Sequence, residues 1–123
     1  MNEAFGDIRN FSASESAKNK IKDLLSKKLF AEQREVWQLG AALGIVQKKV
    51  KEEGTRATYQ NIDTLDPEGI FAAIMIAIYP DLSPEERVKK LTDHAEWGIE
   101  EIARMEKIGT LEWKNLVPKK IEI

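Results

Sequence analysis

The sequence predicts an all-α protein, a compact bundle of four to five helices around a fully apolar central helix at residues 70–78. Two observations support this prediction across the chain: apolar residues recur at helical spacing, and helix start and stop signals separate the segments that carry them. A third is the segment "IFAAIMIAI", which has no polar side chain. Such a composition is typical of a helix that is buried on every side.

The composition favours a single globular domain. Charged residues make up 33% and hydrophobic residues 42% of the 123 residues, as in folded proteins. We therefore predict one helical domain over residues 1–123, with residues 1–11 and 117–123 as flexible or docking tails. The sequence contains no cysteine, which excludes disulfides and thiolate chemistry. The absence of an N-terminal signal-peptide pattern and of a membrane-length apolar run predicts a cytoplasmic protein with no membrane partner.

The first helix is predicted to begin near Ser12 or Ser14. In "SASE", Ser12 and Glu15 have the spacing of a capping box. The apolar residues that follow form one stripe at helical spacing: Ala17, Ile21, Leu24, Leu25 and Leu29. Lysines occupy much of the remaining surface of this helix.

The second helix is predicted over residues 32–53 and ends before Gly54. Its apolar residues form a seam that resembles a heptad repeat: Val36, Leu39, Leu43, Val46 and Val50. Gly40 and Gly44 share a face four residues apart. Because each glycine costs a helix about 1 kcal/mol relative to alanine, the pair indicates the close approach of another backbone.

Residues 55–66 are predicted to be a loop that could contain a short extended piece. Asp66 and Pro67 then provide an N-cap and a first helical residue. The third helix follows at residues 70–78 and ends at Pro80. A buried strand remains the alternative for this segment, since isoleucine is not a strong helix former.

The fourth helix has the clearest start signal in the chain. Ser83 is the predicted N-cap, Pro84 the first helical residue and Glu86 the partner that closes a capping box. The helix is predicted to run to about Lys107, with Gly109 as the residue that stops it. Its predicted buried stripe comprises Val88, Leu91, Ala95, Ile99 and Ile102.

No catalytic, metal or cofactor motif is present, so the protein is not expected to be an enzyme. His94 is the single histidine, and its nearest carboxylates in sequence do not share its helix face. We therefore interpret it as structural or interfacial. A catalytic role would require carboxylates of another helix to meet it in a cleft. The glutamates of the predicted fourth helix are interpreted as a solvated face: Glu85, Glu86, Glu96, Glu100, Glu101 and Glu106.

The distribution of charge is more informative than the net charge of −2. Residues 1–60 contain eleven basic and eight acidic residues, whereas residues 61–123 contain eight and thirteen. Lysine ammonium groups bind the phosphates of nucleic acids without a sequence code. The candidate DNA-binding residues are the lysines of the first helix: Lys18, Lys20, Lys22, Lys27 and Lys28. The alternative is that these lysines form only a solvated face.

Two segments resemble the DNA sulfur-modification protein DndE family, small helical proteins of the DNA phosphorothioation system. The first is "FSASESAKNKIKDLL", in which Ser14, Glu15 and Ala17 open a basic helix. The second is "IFAAIMIAIYPDL" followed by "DHAEWGIEEI". With the order of the residues between them, the resemblance covers most of residues 11–116.

The resemblance implies an all-α subunit that assembles as an oligomer and binds duplex DNA through surface lysines. It also implies partner enzymes that exchange a non-bridging phosphate oxygen for sulfur. The family's basic residues carry over to Lys18 and Lys22 alone, and the acidic second half of this chain departs from the expected pattern.

We therefore expect a non-catalytic, DNA-binding accessory subunit. Its expected partners are double-stranded DNA, the other proteins of the modification system and further copies of itself. The rival hypothesis is a helical adaptor or structural protein, which binds a protein partner or self-assembles without binding nucleic acid.

Overall fold

The computed structural model describes residues 3–52 and 54–112, which form helices and one small sheet. The prediction of an all-α bundle is wrong, because two strands pair in an antiparallel sheet. The elements in chain order are β1 (Asn10–Ser14), α1 (Glu15–Ser26), α2 (Gln33–Gln47), β2 (Arg56–Asn61), α3 (Ile62–Leu65), α4 (Ile70–Ile78) and α5 (Pro84–Lys107).

The sheet, hereafter the ribbon, forms where the sequence predicted a helix start and a loop. Ser12 lies in β1 and pairs with Thr58 of β2, so the capping box predicted at Ser12 does not form. The N-cap of α1 is instead Ser14, whose side chain accepts a hydrogen bond from the amide of Ala17. The segment 55–66, predicted to be a loop, contains the strand β2 and the short helix α3.

The long helices α2 and α5 form the centre of the fold. The predicted close approach at Gly40 and Gly44 is confirmed, and the approaching backbone is that of α5. This contact sets the buried face of α2, so the predicted seam is wrong at Val46, which is 49% exposed. Helix α2 ends at Gln47, before the predicted end, and Lys48 follows in the left-handed conformation.

Helix α4 forms at residues 70–78 as predicted, but it is not the central helix. Phe71, Ala72 and Met75 are its buried residues, whereas Ile70 is 57% and Ile78 46% exposed. Complete burial was the wrong prediction because an apolar composition shows which residues avoid water, not how many neighbours are available to cover them.

Helix α5 has the predicted bounds and caps. Ser83 and Glu86 form the capping box, and Pro84 opens the helix. Gly109 has the positive φ of a residue that follows a helix end. The N-cap position of α4 is held by Gly69, not by Asp66. The carboxylate of Asp66 nevertheless caps this helix, because it accepts hydrogen bonds from the backbone amides of Phe71 and Ala72.

The first residues pack onto the core. Ala4 and Phe5 are fully buried, and Phe11 lies in β1. The predicted tail at residues 117–123 lies outside the described residues. No helix in the described part of the chain is long and apolar enough to cross a membrane.

Candidate nucleic-acid interface

The predicted lysines occupy two different sides of α1 and the turn that follows it. Lys18 and Lys22 are one helical turn apart, and Lys22 is exposed. Neither forms a salt bridge among the residues described. Their two positive charges are therefore available to a phosphate backbone.

Lys18 also connects α1 to the ribbon. Its ammonium nitrogen lies 3.4 Å from the carbonyl oxygen of Thr58, to which it donates a hydrogen bond. Thr58 is exposed and pairs with the half-buried Ser12 on the other strand. The structure thus brings a predicted DNA-binding lysine into contact with the backbone of the ribbon.

The other lysines have less favourable surroundings. Lys27 forms salt bridges with Asp23 and Glu106, and these hydrogen bonds, chiefly that to Glu106, raise its pKa. Lys20 lines an open groove with side chains of both signs between α1 and α5. Lys28 is exposed in the turn after α1 and has positive φ. The structure therefore does not unite the five lysines in one patch.

The inner side of the ribbon is fixed by aromatic packing. Phe11 stacks on Trp37, with ring centroids 4.9 Å apart, and meets Phe5 edge to face at 5.4 Å. Ala13, two residues further along β1, is also buried. Since side chains alternate along a strand, Ser12 lies on the opposite side of the ribbon.

Buried ion pairs and hydrogen bonds anchor one end of the ribbon to α5. Arg56 of β2 donates to Asp93 at 2.5 Å, and Ser14 donates its backbone amide and hydroxyl to Glu96 at 3.0 and 2.6 Å. Glu96 is thus buried, contrary to its assignment to a solvated face. Lys89 also donates to Asp93, at 2.9 Å, so Arg56 and Lys89 share this buried carboxylate.

His94 has a structural environment. It is 2% exposed, with Nδ1 2.6 Å from the carbonyl oxygen of Lys49 and Nε2 2.8 Å from the hydroxyl of Tyr79. Burial lowers the pKa of the imidazole. A neutral ring that donates from Nδ1 and accepts at Nε2 satisfies both contacts. Among the described residues, no carboxylate from another helix forms a hydrogen bond with it.

Sequence reasoning missed the contribution of the ribbon to this surface. Asn10 and Thr58 are exposed, and Arg9 is exposed immediately before β1. The available signal was the possible extended piece at 55–66, but the partner strand was hidden by the helix-cap pattern of "SASE". In the described ranges, no group of three or more histidine, cysteine or acidic residues could hold a metal ion.

A second feature of the surface is an apolar stripe along α4. Its residues recur at intervals of three and four, and all are exposed or half-buried: Ile70, Ala73, Ile74, Ala77 and Ile78. A contiguous exposed apolar surface of this kind marks sites of association between proteins.

The comparisons with known proteins add no relative. No family model matches the chain, and neither the curated proteins nor the solved structures provide a significant match.

Proposed function

We propose that this protein is a non-catalytic, DNA-binding accessory subunit of a DNA phosphorothioation system. One observation carries the proposal: Lys18 and Lys22 lie together on α1 without acidic partners among the residues described. Ammonium groups in this arrangement neutralise phosphates and release condensed counterions. The resemblance to the DndE family supplies the biological context. In that context the protein works in the cytoplasm beside the enzymes that insert sulfur.

The proposal does not require a reaction centre in this chain. The buried histidine is engaged by a carbonyl and a phenol, and the buried acids Asp93 and Glu96 are engaged by the ribbon. The subunit contributes affinity for DNA, and its partner enzymes contribute the chemistry.

Self-association is part of the same proposal. Helix α4 has no charged residue over 70–78, so the stripe offers no ion pairs to a charged partner surface. Isoleucine and alanine alternate along the stripe. Two copies in antiparallel orientation would place the bulky side chains of one helix beside the small ones of the other. An oligomer also multiplies the number of α1 lysines available to DNA.

A second candidate function is supported by the same stripe. An adaptor or structural protein would bury the α4 surface against a protein partner and use its lysines only for solvation. The two candidates differ in one property, which is affinity for DNA.

Gel-shift titration at low salt tests the proposal directly. Intact duplex, nicked duplex and single-stranded DNA of one sequence are compared in parallel. The proposal predicts binding to duplex DNA that weakens steeply as salt is added. Absence of binding to all three at low salt would contradict it and favour the adaptor.

A further inference from the structure

We propose that the ribbon is a sequence-reading element that enters the major groove of DNA. This inference rests on the proposed function and assigns to the ribbon a role distinct from that of the lysines. Lysines that bind phosphates position a protein on DNA, whereas side chains that reach the base edges determine sequence preference.

The dimensions of the ribbon suit the groove. The major groove is about 12 Å wide and admits a two-stranded ribbon, whose strands lie about 4.8 Å apart. Strands β1 and β2 have five and six residues, a length of about 17–20 Å at about 3.4 Å per residue. Within residues 3–52 and 54–112, both strands are edge strands and no third strand widens the element.

The polar side of the ribbon offers groups that bases recognise. Ser12 and Thr58 face each other across the strands, and Asn10 is exposed at the end of β1. Hydroxyls donate to and accept from several bases, and an asparagine amide matches the donor and acceptor of adenine. No hydrogen bond engages these three side chains within the described residues, whereas Asn61 is occupied as the cap of α3.

Fixed and charged groups around the ribbon complete the element. Phe11 is stacked behind it on Trp37, which keeps the strands in place. Lys18 contacts Thr58 at its side, where its ammonium can reach the phosphates that border the groove. The acids Asp7 and Asp63 lie at the end of the ribbon with Arg9. The contact is therefore centred on the Ser12–Thr58 pair, and Asn10 marks its boundary, because its strand partner Asn61 lines the same pocket as these carboxylates.

Selection from duplexes with a randomised central segment tests the inference. The variants are Thr58→Val, which removes the hydroxyl but keeps the branched shape, and the double variant Asn10→Ala with Ser12→Ala. Thr64→Val is the matched control, because Thr64 is exposed in α3, outside the ribbon. Thermal melts of each variant establish that it is folded.

We expect the wild-type protein and the control to enrich the same short sequence. The ribbon variants should keep the salt dependence of binding to random duplex, which the lysines set, yet lose preference for that sequence by about fivefold or more. Binding without enrichment, or identical enrichment by the ribbon variants, would overturn the reading role and leave the phosphate-binding proposal standing. Failure of the wild-type protein to bind any duplex would overturn both.

Discussion

Gly98 of α5 lies directly against the backbone of Gly40 in α2. A Cβ atom at Gly98 would be 1.8 Å from the carbonyl oxygen of Gly40, and one at Gly44 would be 2.2 Å from that of His94. These glycines thus let the two central helices cross within one chain.

Alanine at Gly98 should destabilise the fold. In an open helix this change would stabilise by about 1 kcal/mol, but here the helices must separate to admit the methyl group. We expect a net loss of about 3 kcal/mol, or a decrease in Tm of at least about 10 °C. Gly40→Ala should also destabilise but cost less, since its Cβ would lie 2.8 Å from Cγ1 and 2.9 Å from the backbone nitrogen of Ile99, a less severe overlap than the 1.8 Å contact at Gly98. Urea and thermal denaturation provide the ranking, and a Gly98→Ala variant as stable as wild type would refute the close crossing.

His94 should make stability sensitive to mild acid. Burial lowers the pKa of His94 from 6.5 in the folded protein. As pH falls through 6.5, the unfolded chain binds a proton that the folded chain does not. The free energy of unfolding must therefore decrease until the lower, folded-state pKa is passed.

The matched variant for this prediction is His94→Gln, whose amide retains a donor and an acceptor. Urea denaturation of both proteins at several pH values between 5 and 8 should give a smaller decrease toward acid for the variant. Identical pH dependence of the two free energies of unfolding would assign the effect to other groups.

The apolar stripe on α4 should mediate self-association. Ile70→Asp combined with Ile78→Asp places charge on exposed positions, so folding should survive while contact between copies is lost. Light scattering should give a multiple of 14.0 kDa for wild type and 14.0 kDa for the double variant. Met75→Asp is the contrasting variant, because Met75 is fully buried and an unpaired charge there should unfold the chain. A wild-type mass of 14.0 kDa at all concentrations would remove self-association from the proposal.

Helix signals that depend on neighbouring residues were readable from the sequence. The capping box of Ser83 and Glu86 is one, since both partners lie within a single turn. Pairing between β1 and β2 was not readable, because Ser12 and Thr58 are far apart in sequence and no short turn joins their strands. The extent to which α4 is covered was also hidden, since it depends on where α2 and α5 cross.

The candidate site divides in the same way. The sequence shows which residues carry positive charge, and the helical spacing of Lys18 and Lys22 showed that they share a face. The contact of Lys18 with Thr58 depends on tertiary structure, as does the neutralisation of Lys27 by Glu106. The sequence could therefore identify candidate lysines, but it could not show which of them form salt bridges with acidic residues.

DNA binding through α1 is best tested by the salt dependence of binding by the Lys18→Glu, Lys22→Glu variant. The control is Lys48→Glu with Lys107→Glu, which changes net charge equally at two exposed lysines outside α1. We expect the α1 variant to bind every duplex more weakly, with a salt slope lower by about two units per contacting chain, while the control retains most of the slope. Equal affinity and slope for wild type and the α1 variant would contradict DNA binding through these lysines.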